Sequence, residues 1–440
     1  METSLNYNQI LLNTHIRKAL GDLGYEAGLV RKLVLKPYSV TLSLDWQPDY
    51  TLTTFEVARR LSLAPSDLAT KIATLLESQE FIKKARPAGP YINFALADDF
   101  ILKLLAEMCS PKILPNLKET TLFEIGNVSI GEHIPSSLLY NLIEATKLSR
   151  ILARYNKPSK IVLRLDDWDF SAASIILGET SETNIPIRKL RQIDNKLQSH
   201  DKDEFKKYAL LREKWLRSIG QEVQNASLAE IQFIGNYDIH DKAISLINAL
   251  VGQSTKIVSD PDSLAVYIKD DSVVIPIISQ DGRITIAGYD LSSILINEEG
   301  SVADYVIYER EDFVIPKYVI KSTATKINVV IKKPHGTVNT SKHLVDLIVK
   351  TKTLGKPKNS YSPIDLSVLD RTLAAKLILY PSIIGEAAEK LNIGVLEEYI
   401  KTIVQLIKPN DSTSINSIEN VTVHDTLQLV VQDISEILTT

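Results

Sequence analysis

Three aspartates stand close together in the sequence, at Asp166, Asp167 and Asp169, on either side of Trp168. They follow residues 160–165, whose apolar run predicts a buried strand. Carboxylates at the carboxyl edge of a parallel strand can bind a metal ion or an ammonium group. The alternative is an acidic loop with Trp168 packed beneath it, and the residue types alone favour this second interpretation.

Residues 314–364 contain ten lysines against one acid, which gives a local net charge of +9. Clustered lysines neutralise phosphates and release counterions, so this segment predicts a polyanion-binding surface, with a solvated basic face as the equal alternative. Residues 188–217 contain ten basic against five acidic residues and leave the same choice open. The final sixty residues have the opposite sign, with nine acids against three lysines.

Several common catalytic motifs are missing from the sequence. It contains neither Gly-x-x-x-x-Gly-Lys-[Ser/Thr] nor Gly-x-Gly-x-x-Gly, which excludes phosphate-binding loops of those two types. A single cysteine, Cys109, with scattered histidines excludes a Cys/His zinc cluster, and no Gly-x-Ser-x-Gly nucleophile elbow occurs. We therefore predict no metal site.

The composition is that of a folded protein with several domains. A chain of 440 residues, 44% hydrophobic and 24% charged, is not disordered, fibrous or a disulfide scaffold, and its length predicts about two to four domains. The net charge of −4 neither favours nor excludes nucleic acid as a partner. The single cysteine, the lack of long apolar runs and the lack of a secretory pattern predict a cytoplasmic protein without membrane association.

Hydrophobic spacing predicts a helix-rich first region with a short sheet over residues 1–108. A strand at 120–124, a helix at 136–155 and a strand at 160–165 form the βαβ pattern of a parallel sheet. Further strands are predicted at 264–268, 273–279, 283–287 and 305–308. Helices are predicted at 370–379, 383–391, 394–407 and 423–438, after a linker at 351–363.

Residues 88–96 read Ala-Gly-Pro-Tyr-Ile-Asn-Phe-Ala-Leu, which resembles the end of the N-terminal additional domain of arginyl-tRNA synthetases. Other pieces resemble the same family, in family order, along nearly the whole chain. These pieces are Asp49-Tyr50 with Ala58, Leu61 and Pro65, residues 123–152, Asp167-Trp168, Asp281-Gly282, Asp290-Leu291, residues 306–308, Gly336-Thr337-Val338 and residues 380–391.

The resemblance implies a multidomain α/β fold of the class I synthetase type. An N-terminal α+β domain would cover about 1–110, and a Rossmann-like parallel α/β core about 118–350, with an insertion at about 180–255. An α-helical anticodon-binding bundle of the DALR type would cover about 365–440.

The catalytic motifs depart from the family pattern. The family's His-x-Gly-His, in which glycine admits adenine and the histidines donate to ATP phosphates, is replaced by Pro135-Ser136-Ser137-Leu138. The nearest histidine, His133, stands two positions early.

The later motifs depart as well. Gly-Asp-Trp-Gly becomes residues 166–169, Asp-Asp-Trp-Asp, and the arginine that normally precedes Asp290 becomes Tyr289. We therefore expect the scaffold to be kept and adenylation to be lost.

Three functions remain open. The first is a catalytically degenerate synthetase-like protein that binds tRNA, of the tRNA-Arg type, or presents it to a protein partner. Its expected phosphate contacts are Lys326, Lys332, Lys333 and Lys342. A protein-interaction scaffold without RNA is another possibility, which the acidic C-terminal residues favour over anticodon reading.

The remaining function is a divergent but active arginine–tRNA ligase that uses ATP, Mg²⁺ and L-arginine. In that case the resemblance places His133, Asp167 and Asp290 near the substrates as catalytic residues. The start of the first core helix, residues 135–138, would then be the nucleotide pocket.

Overall fold

A computed structural model of the chain describes residues 14–18, 20–21, 34–37, 48–108, 120–154, 156–178, 187–199, 201–226, 231–251, 256–270, 273–298, 302–308, 315, 327–332, 345, 347–351, 368–407 and 421–438. The chain divides into two compact units. Unit 1 combines Met1–Pro115 with Asn339–Thr439, and unit 2 is Asn116–Val338 with Thr440. Cys109, residues 336–338 and the predicted linker after Thr351 lie outside the described residues.

The N-terminal part of unit 1 is an antiparallel sheet with helices packed on it. Its four strands, in the order β1-β2-β4-β3, are β1 (Val34–Pro37), β2 (Tyr50–Thr53), β3 (Ile82–Ala88) and β4 (Tyr91–Leu96). Its helices are α1 (Phe55–Leu61), α2 (Pro65–Glu77) and α3 (Asp98–Met108). Ala64 is the N-cap of α2, and Pro65 fills the first helical position, where no N–H is needed.

The centre of unit 2 is a five-stranded sheet whose neighbouring strands are all parallel, in the order β12-β11-β5-β6-β7. Its strands are β5 (Thr120–Ser129), β6 (Ser159–Asp166), β7 (Ile231–Gly235), β11 (Val302–Tyr308) and β12 (Asn328–Lys332). A second, antiparallel sheet has the order β10-β9-β8, with β8 (Ile257–Ser259), β9 (Val266–Asp270) and β10 (Val273–Ile278). The predicted parallel α/β core is therefore confirmed.

Six helices of unit 2 surround these sheets among the described residues. They are α4 (Ser136–Ala153), α5 (Asp169–Ile176), α6 (Ile187–Gln198), α7 (Lys202–Asn225), α8 (Asn236–Leu250) and α9 (Ile286–Glu298). The core between them is apolar, with Leu122, Val162, Leu291 and Ile307 almost fully buried. Burying each such side chain stabilises the fold by roughly 1.5–3 kcal/mol.

One sequence expectation for unit 2 is wrong. The strand predicted at 283–287 is instead a single bridge from Ile284 to Ile278, followed by α9, which contains Asp290. The Thr285 hydroxyl accepts a hydrogen bond from the Gly288 N–H at 3.2 Å and so caps this helix, whose apolar sequence has no clear period. The predicted insertion at 180–255 also contains β7, which is an edge strand of the main sheet.

The C-terminal part of unit 1 is helical, as predicted. Its helices are α10 (Val368–Leu377), α11 (Tyr380–Lys390), α12 (Gly394–Leu406) and α13 (Val421–Leu438). Helices α10 and α13 pack against α3. Arg371 of α10 donates to Asp49 Oδ2 at 3.0 Å and to Leu96 O at 2.9 Å, and it also pairs with Asp98. Residues Met1–Pro115 and Asn339–Thr439 thus form one compact unit.

Candidate functional site

The carboxyl ends of β5, β6 and β7 lie side by side in the sheet of unit 2. In open parallel α/β sheets, ligands bind beyond this edge, where loops lead into the following helices. Here the loop after β5 leads into α4, the loop after β6 leads into α5, and β7 runs directly into α8. This edge of the sheet is therefore the candidate functional site.

The loop between β5 and α4 is held by α7. The indole N–H of Trp215 donates to the Glu132 carbonyl at 2.7 Å, and the Ile134 N–H donates to Glu222 Oε2 at 3.0 Å. The Nδ1 atom of His133 contacts the other oxygen of Glu222, while the His133 side chain remains 86% exposed. His133 is thus paired with a carboxylate at the surface.

Gly131 lets the same loop turn tightly. Its φ is +90°, and a Cβ atom at this position would lie 2.7 Å from Ile175 Cδ1 of α5. A side chain here would be strained by the backbone and would collide with α5. The glycine therefore brings the loop close to α5.

Helix α4 begins directly after this loop, at the residues aligned with the family's nucleotide pocket. Pro135 is its N-cap, with φ −60° and ψ 146°, and contributes neither a backbone N–H nor a capping side chain. Pro135, Ser136 and Ser137 are exposed, and Leu138 is buried. The first turn of α4 therefore carries no imidazole or other cationic side chain.

Asp167 follows the end of β6 and is fully buried. Its Oδ2 accepts from Arg212 Nε of α7 at 2.5 Å, and its Oδ1 accepts from the Tyr237 N–H at the start of α8 at 3.1 Å. Burial raises the pKa of the Asp167 carboxyl above its ordinary value, and the attraction of Arg212 offsets only part of that rise. This carboxylate therefore serves the packing of α7 and α8 on the sheet.

The carboxylate of Asp166 is likewise held by neighbouring side chains. It accepts from the Ser171 hydroxyl at 2.6 Å and from Asn236 Nδ2 at 3.1 Å. Trp168 is 3% exposed, so the prediction of an indole packed beneath the acidic residues is confirmed. Its ring lies among Tyr208, Tyr237 and His240, at centroid distances of 5.3, 4.8 and 5.9 Å.

A cavity of about 450 Å³ opens beside these residues. Its polar lining comes from the ends of β6 and β10 and the starts of α5, α8 and α9. The residues that line it with polar or aromatic groups are Asp166, Trp168, Ser171, Asn236, Ser279, Asp281, Arg283, Thr285 and Tyr289.

The guanidinium of Arg283 is fixed at the cavity wall. Its Nε donates to the buried Asp194 of α6 at 2.5 Å, its Nη2 reaches Asn195 at 3.3 Å, and it pairs with Asp281. Burial alone would raise the pKa of Asp281, but hydrogen bonding from Ser279 and the charge of Arg283 lower it below its ordinary value. The wall therefore presents an ionised carboxylate beside a neutralised guanidinium.

Tyr289 connects the cavity to His240 of α8. The Tyr289 hydroxyl lies 2.7 Å from His240 Nδ1. Burial lowers the pKa of His240 below its ordinary value, although Asp241 and Asp194 act in the opposite direction. In the sequence, Tyr289 is notable only as a departure from a motif, and no local pattern points to His240, Asn236 or Arg283.

The three residues predicted as catalytic do not converge on the cavity. His133 lies in the loop held by α7, Asp167 is buried beneath the edge, and Asp290 is buried in α9, beyond the stretch 283–287 for which a strand was expected. None of the three belongs to the cavity lining. At the start of α4, Pro135 and the two serines supply no positively charged side chain for the phosphates of the ATP that the resemblance implies.

Lys332 is not a surface cation, contrary to the prediction that it contacts tRNA. It is 8% exposed at the end of β12, its ammonium pairs with Glu144 of α4, and it lies 5.4 Å from the centre of the Tyr308 ring. Burial lowers its pKa, and Glu144 counteracts this in part. Lys326, Lys333 and Lys342 lie outside the described residues.

The described ranges contain neither a cluster of metal-binding side chains nor a membrane-spanning helix. Within them, no group of three or more histidine, cysteine, aspartate or glutamate side chains is placed to hold a metal ion. The helices of the same ranges include none with both the length and the hydrophobicity to cross a bilayer.

The N-terminal part of the chain matches a known domain family. Residues 11–96 match the arginyl tRNA synthetase N terminal domain. The arginine–tRNA ligase of Thermus thermophilus is 27% identical over 168 residues, which cover 38% of this chain and 26% of that protein. The arginine–tRNA ligase of Limosilactobacillus fermentum is 26% identical over 191 residues, 39% of this chain and 33% of that protein. The matches thus span a quarter to a third of these relatives.

Solved structures extend the similarity to the whole fold. The arginyl-tRNA synthetase of Thermus thermophilus superimposes with a TM-score of 0.65 at 14% identity, covering 97% of this chain and 98% of that one. The arginyl-tRNA synthetase of Plasmodium falciparum superimposes with a TM-score of 0.68 at 11% identity and 97% coverage of both chains. Identities this low establish the fold only. The chain thus contains a domain that matches the arginyl tRNA synthetase N terminal domain, and its fold is that of arginyl-tRNA synthetases.

Proposed function

We infer that this protein binds tRNA, of the tRNA-Arg type, and does not activate arginine. The observation that carries this inference is the start of α4, where Pro135, Ser136 and Ser137 replace the phosphate-binding residues of the family. The loop before it is held by Trp215 and Glu222 of α7.

The size of the expected catalytic loss supports the absence of adenylation. Removing one preorganised donor to a developing negative charge costs about 10²–10³ in rate. This chain lacks both family histidines and the glycine between them, and such losses are large even though they do not add independently. Asp167, the aspartate retained from the family's Asp-Trp pair, is committed to Arg212 and the Tyr237 N–H.

tRNA as the partner is supported by the matched N-terminal domain and by relatives whose names are arginine–tRNA ligases. The basic segment at 314–364 supplies further candidate contacts, and Lys326, Lys333 and Lys342 remain in that set. Lys332 is left out of it because Glu144 already neutralises its buried ammonium. A protein partner that receives the bound tRNA would complete this role.

Arginine-dependent ATP–pyrophosphate exchange on the purified protein tests the first half of the inference. We expect no exchange above background, with the Thermus thermophilus arginyl-tRNA synthetase as the positive control. Exchange that requires arginine and disappears in His133→Ala would overturn the inference and identify an active ligase in which that imidazole substitutes for the family's histidines.

Filter binding of total tRNA across a range of salt concentrations tests the second half. We expect binding that weakens steeply with salt, since phosphate contacts release counterions. Replacing Lys326, Lys333 and Lys342 together by Gln should weaken binding and lower the salt slope. Failure of the wild-type protein to retain tRNA would instead favour the protein-interaction scaffold, for which the acidic C-terminal residues argue.

A further inference from the structure

We propose that one face of the α6–α7 helix pair binds the phosphate backbone of the tRNA. This basic face is formed by the exposed side chains of Arg188, Lys189, Lys202, Lys206 and Lys214. The proposal rests on the tRNA binding inferred above, and it adds a contact surface that lies in unit 2 and outside the lysine-rich segment 314–364.

Two of the five acids at 188–217 are buried and paired within the protein. Asp194 is fully buried and binds Arg283, and Glu204 is 7% exposed and pairs with both Lys196 and Lys207 at 3.4 Å. Asp201 accepts the Asp203 and Glu204 N–H groups as the N-cap of α7. Asp194 and Glu204 therefore add little negative charge to the solvent-facing side of the helices, where Asp201, Asp203 and Glu213 are exposed.

Most of the basic residues at 188–217, in contrast, face solvent without a nearby carboxylate. Of the ten basic residues at 188–217, the inward-facing Arg212 binds Asp167, and three others form the local ion pairs of Lys196, Lys207 and Arg217. The remaining six, which are the five residues of the basic face and Arg191, are exposed. Among the described residues, no carboxylate lies within 4 Å of a cationic group of the basic face. The segment has a net charge of +5, and the rest of the protein therefore carries −9 out of the total of −4.

The spacing on α7 matches a repeating anion. Lys202, Lys206, Leu210 and Lys214 follow one another at intervals of four residues and so form a row along one side of the helix. Twelve residues of helix extend about 18 Å, which is long enough to meet several phosphates of one strand and too long for a single small anion.

Helix α7 holds this row rigidly. Its opposite side is buried through Tyr208, Trp215 and Ile219, and Arg212 links it to the end of β6. Lys214 stands next to Trp215, whose indole N–H holds the loop before α4. An RNA strand on the basic face would therefore be positioned relative to the carboxyl edge of the sheet.

A lipid surface or a protein partner fits the basic face less well than RNA. A helix that binds a lipid surface needs an apolar side to insert, and the apolar side of α7 is buried against the core. A protein interface needs an apolar centre, and the one large exposed apolar side chain on α7 is Leu210. RNA is the partner whose recognition requires charge in a row and little apolar area.

The test compares two triple variants that each lose three exposed lysines. One is Lys202→Gln/Lys206→Gln/Lys214→Gln, and the control is Lys103→Gln/Lys160→Gln/Lys269→Gln. We expect the first to lower the slope of log Kobs against log salt by about 2–3 and to raise Kd on the order of 10²-fold near 0.1 M salt. The control should bind tRNA like the wild-type protein.

A second measurement uses the unaltered protein. Lysine acetylation with and without tRNA, read by mass spectrometry, should show protection of Lys202, Lys206 and Lys214 but not of the three control lysines. The contrary result is that the wild-type protein binds tRNA while both variants bind with the same affinity and salt slope and tRNA leaves lysine acetylation unchanged. That result would overturn the proposal for the basic face and leave the proposed function standing. If the wild-type protein binds no tRNA, both fall together.

Discussion

Arg212 of α7 and Asp167 at the end of β6 form a buried ion pair, with 2.5 Å between Nε and Oδ2. The second arm of the guanidinium reaches Asp238 Oδ2 at 2.7 Å, and that same carboxylate oxygen accepts the Gly235 N–H at 2.8 Å. Tyr237 donates its N–H to Asp167 and lies with its ring 5.3 Å from the guanidinium. One arginine thus ties α7, β6 and the start of α8 together.

Arg212→Ala should destabilise unit 2 by about 3–5 kcal/mol, because it leaves the Asp167 carboxylate buried without its counter-ion. Arg217→Ala on the same helix is the matched control, since its pair with Glu213 is largely exposed and worth about 0–1 kcal/mol. Urea unfolding followed by tryptophan fluorescence reports on Trp168 and Trp215 in this unit. Equal effects of the two substitutions would contradict the assigned role of Arg212.

Gly235→Ala should also destabilise the protein, because a Cβ atom there would lie 2.2 Å from Asp167 Oδ2. Displacing the carboxylate from the start of α8 should cost about 1–3 kcal/mol. Gly220→Ala in α7 is the control, as no atom lies within 4 Å of its Cβ position. That change should stabilise by about 0.4–1 kcal/mol, and the same urea experiment measures both. If Gly235→Ala left the free energy of unfolding unchanged, Asp167 would be shown to move without a cost in stability.

His240 should make the stability of unit 2 sensitive to mild acid. Its folded pKa is lowered by burial, so below about pH 6.5 the unfolded chain binds a proton at this residue more readily than the folded protein. Stability is therefore lost as the pH falls through 6.5 toward the lower folded pKa.

His240→Gln removes this titration and can keep a hydrogen bond to Tyr289. We expect the free energy of unfolding of the wild-type protein to fall more between about pH 7.5 and pH 5 than that of the variant. Parallel pH profiles for the two proteins would exclude His240 as the source. Each profile comes from urea titrations at several pH values.

Lys332 and Glu144 should behave as a coupled buried pair rather than as an RNA contact. Lys332→Met alone should destabilise by about 3–5 kcal/mol, whereas Lys332→Met with Glu144→Leu should recover most of that loss. A double-mutant cycle from urea unfolding measures the coupling. The double variant should keep the salt slope of tRNA binding, and a reduced slope would return Lys332 to the set of phosphate contacts.

The elements of the parallel core could be predicted because their sequences have clear periods. The apolar run at 160–165 and the helical spacing after Ser136 appear as β6 and α4 with small shifts at their ends. The start of α9 could not be predicted, because its residues are apolar on nearly all sides and Thr285, its cap, follows a short strand-like stretch. Periodicity alone does not separate such a helix from a buried strand.

The candidate site was less predictable than the fold. Trp168 was correctly expected beneath the acidic residues, since an indole beside three aspartates is far more stable when buried than when exposed. Asp194 and Arg283 meet from positions 89 residues apart, and no local pattern announces that contact. The prediction that Lys332 contacts tRNA is wrong because it depends on a local count of charges. Glu144, which neutralises Lys332, is 188 residues away in the sequence and does not enter that count.

The hydrogen bonds from Arg371 to Asp49 and Leu96 have a consequence for folding during synthesis. Unit 1 is assembled from Met1–Pro115 and Asn339–Thr439, whereas nearly all of unit 2 is one continuous stretch between them. Chains are synthesised from the N-terminus, and contacts between distant residues form late. The N-terminal part of unit 1 is therefore synthesised long before α10 and α13. Until those helices emerge from the ribosome, the surface of α3 that they cover is exposed to solvent.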